Sequence, residues 1–282
     1  MKNKLLLSLL AFSSITLSSC YVDLGFIQLG KKPEEQSQEE TNKDGDSTTP
    51  DTPGSPIDTG APDGYYTACD NLSGSALQSK LLSINKPKST SYDWSRYEDA
   101  DEALDDSSSI LSLYTRHNIK KSSHCGNYAW DKWNREHIWT QTQYPASASD
   151  NHNIFACEGK INGERSDKPF AEGGNTVTIF GHTTKCKQTS TTFEPCDEAK
   201  GEVARAVMYG TVMYSYTMTQ EIDSIALALK WHLEHPNTER DVRRNNVVYQ
   251  NQGNRNPFVD HPEYACKIWG TTNSATRSLC KM

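Results

Sequence analysis

The segment Trp133-Asn134-Arg135-Glu136-His137-Ile138-Trp139 sets a guanidinium, a carboxylate and an imidazole in a row between bulky aromatics. An imidazole, with an ordinary pKa of about 6.5, can accept a proton near neutral pH. A carboxylate is a hard oxygen donor of the kind that Mg²⁺ takes. Polar groups set among apolar ones need partners or a chemical purpose. Taken alone, however, a Glu-His pair also fits a surface ion pair. Further along, Ser149-Asp150-Asn151-His152-Asn153-Ile154-Phe155 and Ile161-Asn162-Gly163-Glu164-Arg165-Ser166 are dense in Asn, Asp and His. Turn-forming contacts account for some of these. Asn162 differs in kind, because its side-chain carbonyl is a hard neutral oxygen suited to Mg²⁺ or Ca²⁺.

In order and approximate spacing, Asn134 to Trp139, Ser149 to Phe155 and Ile161 to Ser166 resemble the endonuclease I family. So do Lys200-Gly201-Glu202-Val203-Ala204-Arg205-Ala206, Trp231-His232-Leu233-Glu234-His235-Pro236, Gln252-Gly253-Asn254-Arg255-Asn256-Pro257-Phe258 and Asp260-His261-Pro262-Glu263-Tyr264. Several motifs in a fixed order are far more specific than any one of them. The likeness implies an α+β fold with a ββα-metal (His-Me finger) core surrounded by helices. It also implies a nuclease of the periplasm or the extracellular space that cuts DNA, and RNA as a second substrate, with little sequence preference.

The resemblance assigns His137 as general base and Glu136 and Asn162 as metal ligands. Glu136 and His137 thus form the catalytic pair. It places His152 close to the site, where its side chain is expected to orient other groups rather than bind metal. Mg²⁺ is the implied cofactor, with Ca²⁺ or Mn²⁺ as alternatives. On chemical grounds Arg165 and Arg255 are expected to bind substrate phosphate. One departure is visible: many family members carry Pro after the pair matching Ile154-Phe155, whereas Ala156 and Cys157 follow here. Two other functions compete. One is a surface lipoprotein that binds nucleic acid or another ligand without cutting it, and the other is a metal-stabilised structural protein. The intact set of Glu136, His137 and Asn162 argues against the first.

Strand geometry constrains the site. Neighbours on a regular strand point to opposite faces, so bringing Glu136 and His137 to one metal predicts a strand end or a bulge. Asn162 lies 26 residues beyond Glu136, room for a connection and a second strand before a helix. Asn162 is therefore expected near the start of that helix.

The elements that must position these groups are partly legible. Apolar spacing predicts helices over Asn71 to Ile84, Lys200 to Met218 and Ser224 to His235, the last stopped by Pro236. A further helix, capped by Asn237 or Thr238, is expected to run through Arg240, Arg243 and Arg244 to a stop at Gly253. Its arginines read as a solvated face that also offers a patch for phosphates. Ser109 to Arg116, Trp133 to Trp139 and Thr176 to Phe180 read as strands. Trp231 reads as core, and His232 and His235 as cations offsetting a helix dipole.

The chain of 282 residues divides into three parts. Residues 1–19 form a leader with basic Lys2 and Lys4 and an apolar run from Leu5 to Leu17, too short to span a bilayer. Leu17-Ser18-Ser19-Cys20 resembles a lipobox, which implies lipidation at Cys20 and a membrane anchor, periplasmic or extracellular. Residues 20–60 read as a disordered acidic linker, and residues 61–282 as one nuclease domain. Of the net charge of −7, the leader carries +2 and residues 21–60 carry −6, which leaves −3 on residues 61–282. Global charge therefore gives no support for nucleic-acid binding, which must rest on local groups. Eight cysteines in an exported chain point to disulfides. Cys186 with Cys196 and Cys266 with Cys280 would close short loops. With no Cys-x-x-Cys pair, structural zinc is not indicated.

Overall fold

The computed structural model describes residues 58–87, 90–124 and 128–282. The leader, Cys20, Cys125 and the linker through residue 57 lie outside the described residues. In chain order the elements are α1 (Gly74–Ile84), α2 (Trp94–Ala100), β1 (Glu102–Ala103), β2 (Asp106–Leu111) and β3 (Asn118–Lys120). Next come β4 (Trp133–His137), β5 (Ile154–Glu158), α3 (Gly159–Arg165), β6 (Asn175–Ile179), β7 (His182–Gln188) and β8 (Phe193–Glu194). The C-terminal part is helical: α4 (Asp197–Met213), α5 (Ile225–Glu234), α6 (Glu239–Gln252), α7 (Pro257–Asp260), α8 (Glu263–Trp269) and α9 (Ser274–Leu279). The strands form three small antiparallel sheets, β1-β2-β3, β4-β5 and β6-β7-β8. The fold class is α+β, as expected.

The hairpin β4-β5 followed by α3 is the ββα unit that holds the candidate residues. All five positions of β5 are buried, so the strand has no alternating pattern. Its last residue, Glu158, caps α3 by accepting from the backbone nitrogens of Lys160 at 2.9 Å and Ile161 at 2.8 Å. Strand end and helix start are thereby locked together.

The core is built round α4, which is buried along most of its length. It passes so close to Trp139 that a Cβ on Gly210 would lie 2.2 Å from the indole nitrogen. Only glycine allows that approach. Helix α6 follows its sequence signals closely. Thr238 and Asp241 form a reciprocal capping box, and Gly253 ends the helix at φ 78°.

Three expectations need correction. The strand over Ser109 to Arg116 stops at Leu111. Arg240 and Arg244 are not a solvated face: both are buried. Arg240 meets Asp101 at 2.9 Å and Glu202, while Arg244 meets Asp101 at 2.9 Å and the Asn151 carbonyl at 2.8 Å. Arg244 also donates to the Ile154 carbonyl and so ties α6 to β5, while Arg240 ties α6 to Asp101 and to Glu202 of α4, because burying a cation requires a carboxylate partner. His232 does not act as a dipole-offsetting cation. Burial, with Arg205 adding to it, pushes its pKa down to about 4. Trp231 is core, as expected. Of the cysteines, Cys266 and Cys280 are bonded. Cys186 and Cys196 are buried free thiols, and Cys186 Sγ donates to the Tyr114 carbonyl at 3.4 Å.

His232 and His152 together predict acid sensitivity. Burial lowers each to about 4 from an ordinary 6.5. As pH falls through 6.5 the unfolded chain takes up protons that the folded chain refuses. Stability should therefore drop between about pH 6.5 and 4, by roughly 3 kcal/mol per residue at the acid end. Urea midpoints across this range should fall steadily. His232→Gln keeps a donor for the Pro262 carbonyl and should flatten the curve. An unchanged slope would show that His232 does not titrate in this way.

Candidate active site

Strands β4 and β5 pair residue for residue, from Trp133 opposite Glu158 to His137 opposite Ile154, with no bulge. Of the strand end or bulge that was expected, the strand end is found, since Glu136 and His137 are the last two residues of β4, but the expectation that both face one metal is corrected. His137 ends the strand, but both residues stay in register and their side chains take opposite faces. In the two-stranded sheet β5 flanks β4 on one side, and at the other side Trp133 makes an isolated parallel bridge to His124.

On one face, Glu136 is buried at 2 % exposure. Its Oε1 accepts from the Tyr114 hydroxyl at 2.6 Å and from Arg165 at 3.3 Å. Burial pushes its pKa up, while Arg165 and Tyr114 oppose that. Asn134, two residues back, shares this face. Its Oδ1 accepts from Asn162 Nδ2 at 2.6 Å, and the Arg135 carbonyl accepts from the same nitrogen at 3.2 Å. Asn162 is the fourth residue of α3, so the helix start is where the spacing put it. Both hydrogens of its amide are committed to acceptors. Among the described residues no side chain donates to Asn162 Oδ1 or to Glu136 Oε2, although the His137 backbone N–H also reaches the Glu136 carboxylate. Each residue thus keeps one hard oxygen uncommitted on the same face. That donor set suits Mg²⁺, which takes few protein oxygens and retains water. Among the described residues no group of three His, Cys, Asp or Glu is placed to hold a metal ion, so an ion here would rest on Glu136, Asn162 and water.

On the other face, His137 Nε2 lies 3.1 Å from the Ala148 carbonyl and 3.2 Å from the Tyr92 hydroxyl. A carbonyl can only accept, so the neutral ring making this bond carries its proton on Nε2 and its lone pair on Nδ1. Burial pushes the pKa down to about 4, which keeps the ring unprotonated at neutral pH, with a lone pair available though less basic than that of an exposed imidazole.

Arg135 gains a role that its residue type did not reveal. Its guanidinium lies 3.5 Å from the Tyr92 ring centroid and 3.9 Å from that of Trp94, and it donates to the Tyr92 carbonyl at 2.9 Å. It therefore holds Tyr92 in place beside His137. Tyr114 and Asn134 were also missed. The same-face spacing of Asn134 and Glu136 was the available signal; nothing local marked Tyr114.

The two expected phosphate-binding arginines are corrected. Arg165 has no exposure and donates to Glu136, Glu221 and the carbonyls of His137 and Ile138. Arg255 is equally buried and meets both oxygens of Asp260 at 2.7 and 2.8 Å. Arg165 is saturated by protein acceptors, and Arg255 keeps an unpartnered Nη1 but is buried around it, so neither presents an exposed face to a phosphate. His152 lies away from the β4 site, with Nε2 3.1 Å from the Asn254 carbonyl and its ring against Tyr209.

A family model described as Endonuclease I matches residues 73–263. The chain is 29 % identical over 229 residues to an extracellular ribonuclease of Bacillus amyloliquefaciens, covering 73 % of this chain and 78 % of that one. It is 27 % identical over 134 residues to an Endonuclease-1 of Buchnera aphidicola, covering 46 % of this chain and 54 % of the relative. A periplasmic deoxyribonuclease of Aeromonas hydrophila is 24 % identical over 136 residues, covering 46 % and 55 %.

Proposed function

The chain belongs to the endonuclease I family, and from that premise we propose that it is an exported, metal-dependent endonuclease with little sequence preference, acting on DNA and on RNA. The observation that carries this is the pair of uncommitted oxygens, Glu136 Oε2 and Asn162 Oδ1, on one face of β4, with the His137 imidazole on the other. Hydrolysis of a phosphodiester requires the attacking water and the leaving oxygen to stand on opposite sides of phosphorus. A phosphate at the open edge of β4 would have the base to one side and the metal ligands to the other. The strand parity thus serves the reaction. His137 Nδ1 takes the proton from water, and the Ala148 carbonyl and Tyr92 hydroxyl fix the ring that does so. Glu136 and Asn162 would hold Mg²⁺, or Mn²⁺ or Ca²⁺. That ion supplies positive charge for a phosphate oxygen and for the leaving oxygen. Tyr114 and Arg165 keep Glu136 in place. The relatives' names, which include a ribonuclease and a deoxyribonuclease, support both substrates. Extracellular and periplasmic relatives support export, and the lipobox-like Leu17-Ser18-Ser19-Cys20 is the ground for an anchor at Cys20.

Plasmid DNA and RNA incubated with the purified chain should be cut with Mg²⁺, and cutting should fall on the order of 10³-fold in EDTA. Mn²⁺ binding followed by calorimetry should weaken by more than about tenfold in Asn162→Ala. Nucleic-acid binding without cutting under any metal would replace this reading with that of a binding lipoprotein. Unchanged Mn²⁺ affinity in Asn162→Ala would remove Asn162 from the ligand set.

A further inference from the structure

Beside the Glu136 face lies a ring stack that the reaction above does not use. Trp130 has an imidazole on each of its faces. His117 stacks at 4.2 Å with the planes 5° apart, and His182 at 4.0 Å with the planes 15° apart. His117 is anchored, its Nε2 2.8 Å from the Trp130 carbonyl. His182 begins β7 and is exposed, and among the described residues Trp130 is the ring recorded against it. The stack borders a cavity of about 340 Å³ lined by Tyr114, Arg116, Trp130, His182 and Lys185 among others. That volume is in the range of small-molecule sites. Tyr114 is also the residue that donates to Glu136, so cavity and candidate ligand share a wall.

A second exposed ring stands nearby. Tyr128 is 50 % exposed. It packs on Gly159 so closely that a Cβ there would meet its ring at 2.9 Å, with Asn134 Nδ2 at 3.7 Å. Asn134 is the residue that positions Asn162. Both exposed rings therefore adjoin the residues carrying the uncommitted oxygens.

The charges in the cavity are already spent. Arg116 meets Glu202 at 3.1 Å, and Lys185 meets Glu198. With its cations neutralised, the surface offers π faces rather than net charge. Bases within a duplex are stacked on one another and hide their faces; those of a single strand expose them. Stacking on protein rings accepts any base, since every base has a π face.

We propose that His182, backed by Trp130 and His117, and Tyr128 form a stacking platform that takes unpaired bases of single-stranded nucleic acid beside the Glu136–Asn162 site. This rests on the nuclease reading and names the strand form that the site prefers. The platform is blind to the sugar, so it serves single-stranded DNA and RNA alike.

The test is fluorescence anisotropy of a labelled short oligothymidylate and of a duplex of equal length, titrated in EDTA with the full chain. The parent should bind the single strand more tightly. His182→Ala and Tyr128→Ala should each weaken single-strand binding about tenfold, change duplex binding less than about twofold, and leave the salt slope unaltered, since no phosphate contact is lost. Both side chains are exposed, so the fold should persist. Single-strand affinity unchanged in the double variant would overturn the proposal. So would equal losses on both forms with a shallower salt slope. If the parent cuts plasmid yet gives either result, only the platform fails. If it neither cuts nor binds nucleic acid, the nuclease reading fails with it.

Discussion

A His137→Ala chain should bind nucleic acid as the parent does and cleave it about 10³-fold more slowly. The size follows from what the imidazole supplies. Removing a positioned general base typically costs between about 10² and 10⁴ in rate. The upper half of that range is expected here because the ring is fixed. Ala148 and Tyr92 hold Nε2, and Arg135 stacks on Tyr92 to hold it in turn. The readout is single-turnover cleavage of plasmid at saturating Mg²⁺. Binding is followed separately in EDTA, and thermal unfolding checks the fold. Added imidazole should restore part of the lost rate in His137→Ala by entering the space left behind. A variant that folds, binds and cuts within a few-fold of the parent would remove His137 from the reaction. Lost binding without recovery by imidazole would make it a structural residue of the strand end.

How much of this site was legible in the sequence depends on how local each determinant is. Helix α6 was readable because its Thr238 cap, Asp241 partner and Gly253 stop all act within one helical turn of the backbone they serve. The roles expected of Glu136, His137 and Asn162 came from the resemblance, since residue type alone fitted a surface ion pair as well. Their relative orientation was not readable. A strand end or a bulge was expected so that both could face one metal; the pair does end β4, but the hairpin runs in unbroken register and keeps them on opposite faces. Register is set by the facing strand, and β5 is buried at every position, so it carries no alternation to reveal its phase. The Asp-Asn-His-Asn run before it reads as a turn. Arg165 and Arg255 were misread for a related reason. An arginine in a polar motif looks available for phosphate until the carboxylates that claim it are known. For Arg165 those are Glu136 and Glu221, 29 and 56 residues away. The acidic partner of Arg255 was only five residues along, so Asp260 could have been suspected from spacing alone. The arginines of α6 were misread because Asp101, more than a hundred residues away, receives two of them.

Replacing Arg165 by methionine should cost the fold about 3–5 kcal/mol, the largest stability effect expected in this domain. The guanidinium ends α3 and is wholly buried. It lies between Glu136 and Glu221, and it also satisfies the carbonyls of His137, Ile138 and Lys168. Methionine fills much of the space but leaves two buried carboxylates facing each other and three carbonyls without a donor. Burial already raises Glu136, and it raises Glu221 to about 7, even with the guanidinium present. Without that cation both acids should prefer to be protonated in the folded chain. Their folded pKa values then exceed the unfolded ones, so stability is lost as pH rises. The deficit should accordingly be greater near pH 8 than near pH 5. Differential scanning at the two pH values should show the melting temperature lowered by roughly 10 °C at the higher one. Adding Glu221→Gln should recover part of the loss, because it removes one unpaired charge. A phosphate-binding Arg165 would behave differently: Arg165→Met would melt like the parent, show no pH-dependent deficit, and lose substrate affinity together with one unit of salt slope. The two accounts of the same residue therefore separate on melting temperature, its pH dependence and salt dependence, and none of these three readouts requires the enzyme to turn over.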